Sequence, residues 1–406
     1  MKQLNPVLRL LAALLFLGCN GVVDRMPGEK AQTDAGQNGR DASVVIEGPG
    51  EGSDGGNASD GGNGFDAVRV DAGAALVPVF MAQGHLGRTV MSCDDGRTWV
   101  NDRSDSDAGH CWREPNQIEC DHTPISGVGL DTGGGTFFAN FGWGYNGSLR
   151  RSTDGKNWEV VKDGAWGGGV SYSDGVVLWL AGGDWPVSMD KGATWGGSSQ
   201  AIPGGYFASR VLSRAGTKIV VSGDDPAAGL FSNNSGRTWA SVDLSDAGTV
   251  WQRSVQLAEG NGVLVTVSSR LDSAFTLTTY AATSTDGLTW RGKEIYQGSD
   301  QNYGWNGIFF TGAEFVSFSN GNKMVSAGGM TWSGTPISNS GAVHGPLARA
   351  QNGTWVSIPN NWDQYYERQK AFRSTDGINW EQIATWPGGH PITRLVSGYL
   401  PASACP

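Results

Sequence analysis

From about residue 76 onward the chain alternates between short apolar runs and polar, glycine-rich breaks. GTFFANF (135–141), GVVLWLA (175–181), TKIVVS (217–222), GVLVTVS (262–268), EFVSFS (314–319) and TWVSIP (354–359) have strand length and are rich in β-branched or aromatic residues. A shorter run precedes each, as RVLS (210–213) precedes TKIVVS. A loop and a further short strand follow, ending in a turn that closes on Trp. The predicted unit is strand A, strand B, loop, strand C, turn, strand D.

The closing turn occurs seven times: SCDDGRTW (92–99), STDGKNW (152–158), SMDKGATW (188–195), SNNSGRTW (232–239), STDGLTW (284–290), SAGGMTW (326–332) and STDGINW (374–380). The tryptophans Trp99, Trp158, Trp195, Trp239, Trp290, Trp332 and Trp380 lie roughly 40 to 60 residues apart, the length of one four-stranded propeller blade. Elementary chemistry accounts for the residue types without a ligand. An Asp carboxylate accepts hydrogen bonds from the turn's own N–H groups, Gly takes the positive φ, and Trp covers apolar surface between blades. Asp94, Asp154, Asp190, Asp286 and Asp376 are therefore expected to be structural.

The pattern Ser-x-Asp-x-Gly-x-Thr-Trp resembles the Asp-box, or bacterial neuraminidase repeat, of sialidase-like propellers. Asn234 and Gly328 replace the Asp in two copies, and three copies are one residue longer than the other four. The resemblance implies an all-β, seven-bladed propeller of four-stranded antiparallel blades over residues 76–406. Residues 76–99 supply strands B, C and D of a first blade that lacks strand A, whereas ITRLVSGYL (392–400) is a strand A with nothing after it. Pairing the two ends closes the ring and removes an exposed sheet edge.

Composition agrees: 63 Gly, 17 Trp and only 17% charged residues suit short strands and tight turns. A net charge of −10 without a basic stripe argues against nucleic acid. Residues 1–19 carry Lys2 and Arg9 ahead of an apolar run too short to span a bilayer, the form of an export signal. Its end, Phe16-Leu17-Gly18-Cys19, resembles a lipobox, which implies lipidation at Cys19 and an outer-membrane or cell-surface location, the alternative being an ordinary secretory signal. Residues 20–75, rich in Gly, Asp, Asn and Ser, read as a disordered tether. Cys93, Cys111, Cys120 and Cys405 then allow three connectivities in an oxidising compartment. Placement on the blade map favours Cys93–Cys405 with Cys111–Cys120.

In the propellers this chain resembles, ligands bind on the face opposite the boxes, where B–C loops and D–A connections meet the bore. On that face the map places His85, His344, His390, Asp224 and Tyr206 as catalytic candidates. Arg210, Arg253 and Arg394 are candidate carboxylate grips, because planar guanidinium suits bidentate binding. Trp143, Tyr145, Trp166, Trp185, Trp251, Trp305 and Trp362 are candidates for sugar stacking. Arg253 is one residue out of register with the other two arginines, and the sialidase Arg-Ile-Pro segment and Tyr–Glu pair are not found, so a true sialidase is not expected. No histidines are spaced as metal ligands, and neither metal nor cofactor is expected.

The reading is a monomeric, lipid-anchored propeller that recognises a polysaccharide or glycoconjugate. Glycoside hydrolase or polysaccharide lyase activity on an acidic polysaccharide stays open. The alternative is a non-enzymatic protein-interaction propeller, an adhesin or assembly factor.

Overall fold

The computed structural model describes residues 76–84, 88–103, 113–114, 117–118, 129–141, 148–163, 167–181, 185–196, 211–222, 229–244, 254–271, 276–298, 305–359, 370–387 and 392–406. They form a seven-bladed propeller of antiparallel sheets, as the seven repeated turns and the resemblance they carry imply. In the first blade Ile392–Pro401 is the inner strand A, followed outward by Leu76–Gly84, Thr89–Ser92 and Val100–Arg103. The second blade runs Leu130–Gly133, Thr136–Phe141, Ser148–Ser152 and Glu159–Asp163. Blades four to seven begin at Val211–Ala215, Ser254–Gly260, Trp305–Phe310 and Leu347–Arg349, each with four strands in chain order.

The third blade differs. Gly167–Ser173, Val176–Ala181 and Val187–Ser188 form its sheet, and the fourth position is a single bridge between Val187 and Gly196. Gly196 is the last residue of this blade that the structure describes. A two-stranded ribbon, Arg113–Glu114 with Gln117–Ile118, lies in the connection between the first and second blades.

Closure joins the chain ends. Leu76 to Gln83 pair in unbroken register with Pro401 to Arg394, so the first blade takes its inner strand from the C-terminus. The disulfide Cys93–Cys405 links the first blade's C–D turn to the end of that strand across 312 residues of sequence. Cys19, Cys111 and Cys120 lie outside the described residues.

The core is a set of inter-blade layers. Strand B of each blade is buried on both sides, and alternate residues face opposite neighbours. Phe137, Ala139 and Phe141 pack with Val79, Met81 and Met91 of the first blade, while Phe138 packs with Tyr172 and Trp179 of the third. The seven inner strands touch neighbour to neighbour around the bore.

The C–D turn is built by its serine and glycine. In all seven copies the Ser Oγ accepts the box Gly N–H at 2.7–2.9 Å. Where Asp is present it accepts the next N–H groups; Asp286, for example, takes Leu288 N at 2.8 Å and Thr289 N at 2.7 Å. The Gly plugs into the preceding blade. A Cβ on Gly287, at φ +77°, would stand 2.1 Å from the Phe231 ring, and one on Gly155 would stand 2.6 Å from Met91 Sδ. The indole N–H of Trp99, Trp290, Trp332 and Trp380 returns to the carbonyl of its own turn glycine.

Candidate functional site

Strand polarity sorts the molecule into two faces. The lower face carries the A–B and C–D turns, and the upper face carries the B–C loops and D–A connections. Of the candidates expected above, His85, His390, Asp224, Tyr206, Arg210, Arg253, Trp143, Tyr145, Trp166, Trp251 and Trp362 lie outside the described residues. The other four can be placed.

His344 is exposed and ends the 3₁₀ turn Ser340–Val343, whose Val343 carbonyl accepts Asn306 Nδ2 at 2.6 Å. Arg394 stands near the upper end of the first blade's inner strand, opposite Gln83, half-buried, with Nη1 donating to the Thr393 carbonyl. Trp185 and Trp305 are only 6% and 8% exposed. Each meets a C–D turn tryptophan edge-on, Trp185 with Trp239 at 6.0 Å and Trp305 with Trp332 at 4.9 Å. The structure places both rings in the packing between blades.

The carboxylates of the repeated turn are also placed. Asp94, Asp154, Asp190, Asp286 and Asp376 are all held ionised below the usual range. Thr194 hydroxyl and N–H bonds hold Asp190 at about 2, and the Thr289 and Leu288 N–H groups hold Asp286 at about 2. Burial opposes the shift at Asp376, but the Asn379 and Ile378 N–H groups outweigh it and leave that group at about 2 as well. Each of these carboxylates is occupied by its own turn. Among the described residues, no three His, Cys, Asp or Glu side chains stand together as metal ligands.

Three turns carry one additional residue, and that residue supplies contacts the repeat pattern does not announce. Asp95, Lys191 and Ser235 all take positive φ, at 64°, 59° and 62°. Asp95 reaches back to the seventh blade, where Arg373 pairs with its carboxylate and Asn352 and Thr354 donate to it at 2.9 Å. Ser235 bonds Ser173 of the third blade at 2.9 Å, and the Lys191 carbonyl accepts Arg151 Nη1 of the second blade at 2.7 Å.

That last contact sits in a cleft of about 740 Å³ on the second blade. Arg150, Arg151, Lys156 and Lys191 line it against Asp154 and Glu159, so cations are in excess on a chain that is acidic as a whole. The guanidiniums are held in place. Arg150 lies over the Phe141 ring at 4.6 Å with Nε toward Ser148 Oγ, and Arg151 donates to Glu159 at 2.9 Å as well as to the Lys191 carbonyl.

Phe141 and Trp158 contribute apolar surface to the same cleft, with ring centroids 5.4 Å apart. The Trp158 indole departs from the pattern of its equivalents. Its N–H is buried and makes no hydrogen bond, whereas four of the other turn indoles bond their own glycine carbonyl. Sequence reading missed this site because it lies beside the turns, on the side assigned to architecture. The signal was present as two adjacent arginines and a lysine in SLRRSTDGKNW (148–158), but the approach of Lys191 from the next blade required coordinates.

The bore carries a second set of charges near its lower end. Arg214 of the fourth blade pairs bidentately with Asp131 of the second, at 2.7 and 2.8 Å, and so spans the third blade. Asp131 also accepts the Tyr172 N–H of that spanned blade at 2.8 Å. Lys218 pairs with Glu259 between the fourth and fifth blades.

No family model matches the chain, and no curated protein matches it. Among solved structures it is similar to YCF48 from Cyanidioschyzon merolae, at 13% identity over 67% of this chain and 89% of that one, with a TM-score of 0.44. It is also similar to virginiamycin B lyase from Staphylococcus aureus, at 13% identity over 66% and 85% of the two chains, TM-score 0.43. A protein of unknown function from Desulfotomaculum acetoxidans matches at 9% identity over 78% and 99%, TM-score 0.49. At these values the likenesses assign no activity.

Proposed function

We propose that this protein is a binding propeller without a chemical step, and that its second blade holds an acidic segment of a partner protein. The observation that carries the reading is the cleft, with its four cations, two carboxylates and two aromatic rings. Guanidiniums already fixed by neighbouring atoms lose little freedom on meeting a carboxylate, so they bind at lower entropic cost than mobile lysines. The partly exposed Trp158 ring and the aliphatic stems of the cations cover the apolar parts of a peptide. Anchoring outside the cytoplasm through Cys19 belongs to the same proposal, with residues 20–75 acting as the spacer.

A second reading is an acidic polysaccharide in the same cleft. The specific feature that favours it is the partly exposed Trp158 ring in the cleft that Arg150 also lines, since an indole face suits sugar stacking while a guanidinium takes a uronate.

Fluorescence anisotropy on the full chain separates them, with a labelled hexaglutamate peptide and labelled polygalacturonate as probes. The expected result is peptide binding that weakens steeply with salt and falls about tenfold in Arg150→Gln, the size of one lost charge-assisted contact. Polygalacturonate binding with no peptide binding establishes the second reading. Failure of both probes at low ionic strength rejects the cleft as a binding site.

A further inference from the structure

Each inner strand turns into strand B at the lower face. Near those turns the hairpins of blades two to seven carry Thr132, Tyr172, Arg214, Glu259, Phe309 and Arg349, with Tyr172 and Phe309 buried between blades. Three are charged, and two of the three are paired: Arg214 with Asp131, and Glu259 with Lys218. Arg349 is the exception.

Its guanidinium lies over the Trp355 ring at 5.4 Å, and its Nε is sealed from solvent without a hydrogen-bond partner. No carboxylate pairs with it among the described residues, and burial alone depresses its pKa. The neighbouring polar groups are neutral, since Tyr399 of the first blade donates to Gln351 and Ser397 donates to the Arg349 carbonyl at 2.6 Å. A half-buried cation has given up part of its hydration and received no anion in return, which is unfavourable until an anion arrives. The backbone beneath it is held by the Ser397 bond, and the Trp355 ring supports the guanidinium from one side.

We infer that Arg349 is the seat for a single carboxylate group at the lower mouth of the bore, a site separate from the second-blade cleft. Planar guanidinium backed by a ring face takes a carboxylate end-on through its two terminal Nη–H groups, the Nε being sealed from solvent. Two sources of that group are at hand. One is an external acidic ligand. The other is the chain itself: Leu76 pairs with Pro401 at this same mouth, so the segment that joins there brings Asp71 and Asp66 within 10 residues of the strand.

The test is the arginine Nε–H NMR spectrum of the full chain, with the Arg349 resonance assigned by its loss in Arg349→Gln. Titration uses N-acetyl-aspartate amide. If the seat is open, the Arg349 resonance moves saturably with titrant and the other arginine resonances do not, as a planar fork meeting one carboxylate requires. If the chain's own aspartate fills it, the resonance starts shifted, resists the titrant, and moves only when Asp66→Asn and Asp71→Asn are introduced together. Both results support the seat. A resonance that moves linearly without saturation, in the parent and in the double variant alike, overturns it. Hexaglutamate binding at the cleft is unchanged in Arg349→Gln, so the two sites fail independently.

Discussion

Ser284 and Gly287 show how a single residue type is required by its surroundings. The serine Oγ takes the buried Gly287 N–H at 2.8 Å, and Gly287 has no room for a Cβ because Phe231 of the fourth blade stands 2.1 Å from where it would be. Replacing Gly287 by Ala must displace that ring and also hold a side chain at φ +77°. Overpacking and left-handed backbone strain together predict a loss of about 2–4 kcal/mol, read as a lower urea midpoint; an unchanged midpoint would contradict the plug. The Asp is less essential to the geometry. Asn234 already occupies its place in the fourth blade and accepts the Thr238 N–H at 2.9 Å. Asp286→Asn is therefore expected to fold and to lose only pH dependence. Asp286 is held at about 2 in the folded chain against 3.8 for a free group, so its ionised form favours folding above about pH 4 and that contribution is lost as pH falls toward 2. Urea midpoints measured from pH 5 to pH 2 should fall less steeply in the variant than in the parent.

At the scale of the blade, what the sequence shows and what it hides divide cleanly. Strands B were legible because they are continuous apolar runs buried on both sides, and the C–D turns were legible because Asp, Gly and Trp are each demanded by local backbone or by a burial that every blade repeats. The role of Asp95, Lys191 and Ser235 was not legible. Their partners belong to adjacent blades, and one additional residue at positive φ gives no indication of what it will touch. The second-blade cleft was hidden for the same reason, since Lys191 reaches it from the third blade. The seam between the last blade and the first tests this view. Arg373 donates to both the carboxylate and the carbonyl of Asp95, so a double-mutant cycle of Arg373→Ala and Asp95→Asn is expected to show coupling of about 1–3 kcal/mol. Additive losses would mean that this ion pair does not couple the two blades.

For the whole ring, closure is the step that turns seven weak neighbours into one cooperative body. Each blade buries its faces only when both neighbours are present, and the first is complete only when the last strand arrives from 300 residues away in the chain. Bringing those ends together costs loop entropy before any inter-blade layer compensates for it. Cys93–Cys405 removes most of that cost from the unfolded state, because the oxidised chain never separates the first C–D turn from the final strand. The chain-entropy estimate for a loop of 312 residues is about 5–6 kcal/mol, and native bridges commonly deliver about 2–5 kcal/mol. A Cys93→Ala, Cys405→Ala variant is therefore expected to keep the same circular dichroism spectrum and to unfold at a markedly lower urea concentration. The loss should fall mainly on refolding, since the tether shortens the search for closure and contributes little once strand A is paired. If instead the variant unfolds faster and refolds at the parental rate, the bridge acts as a brace on the finished ring, and the Leu76–Gln83 ladder must close without its help.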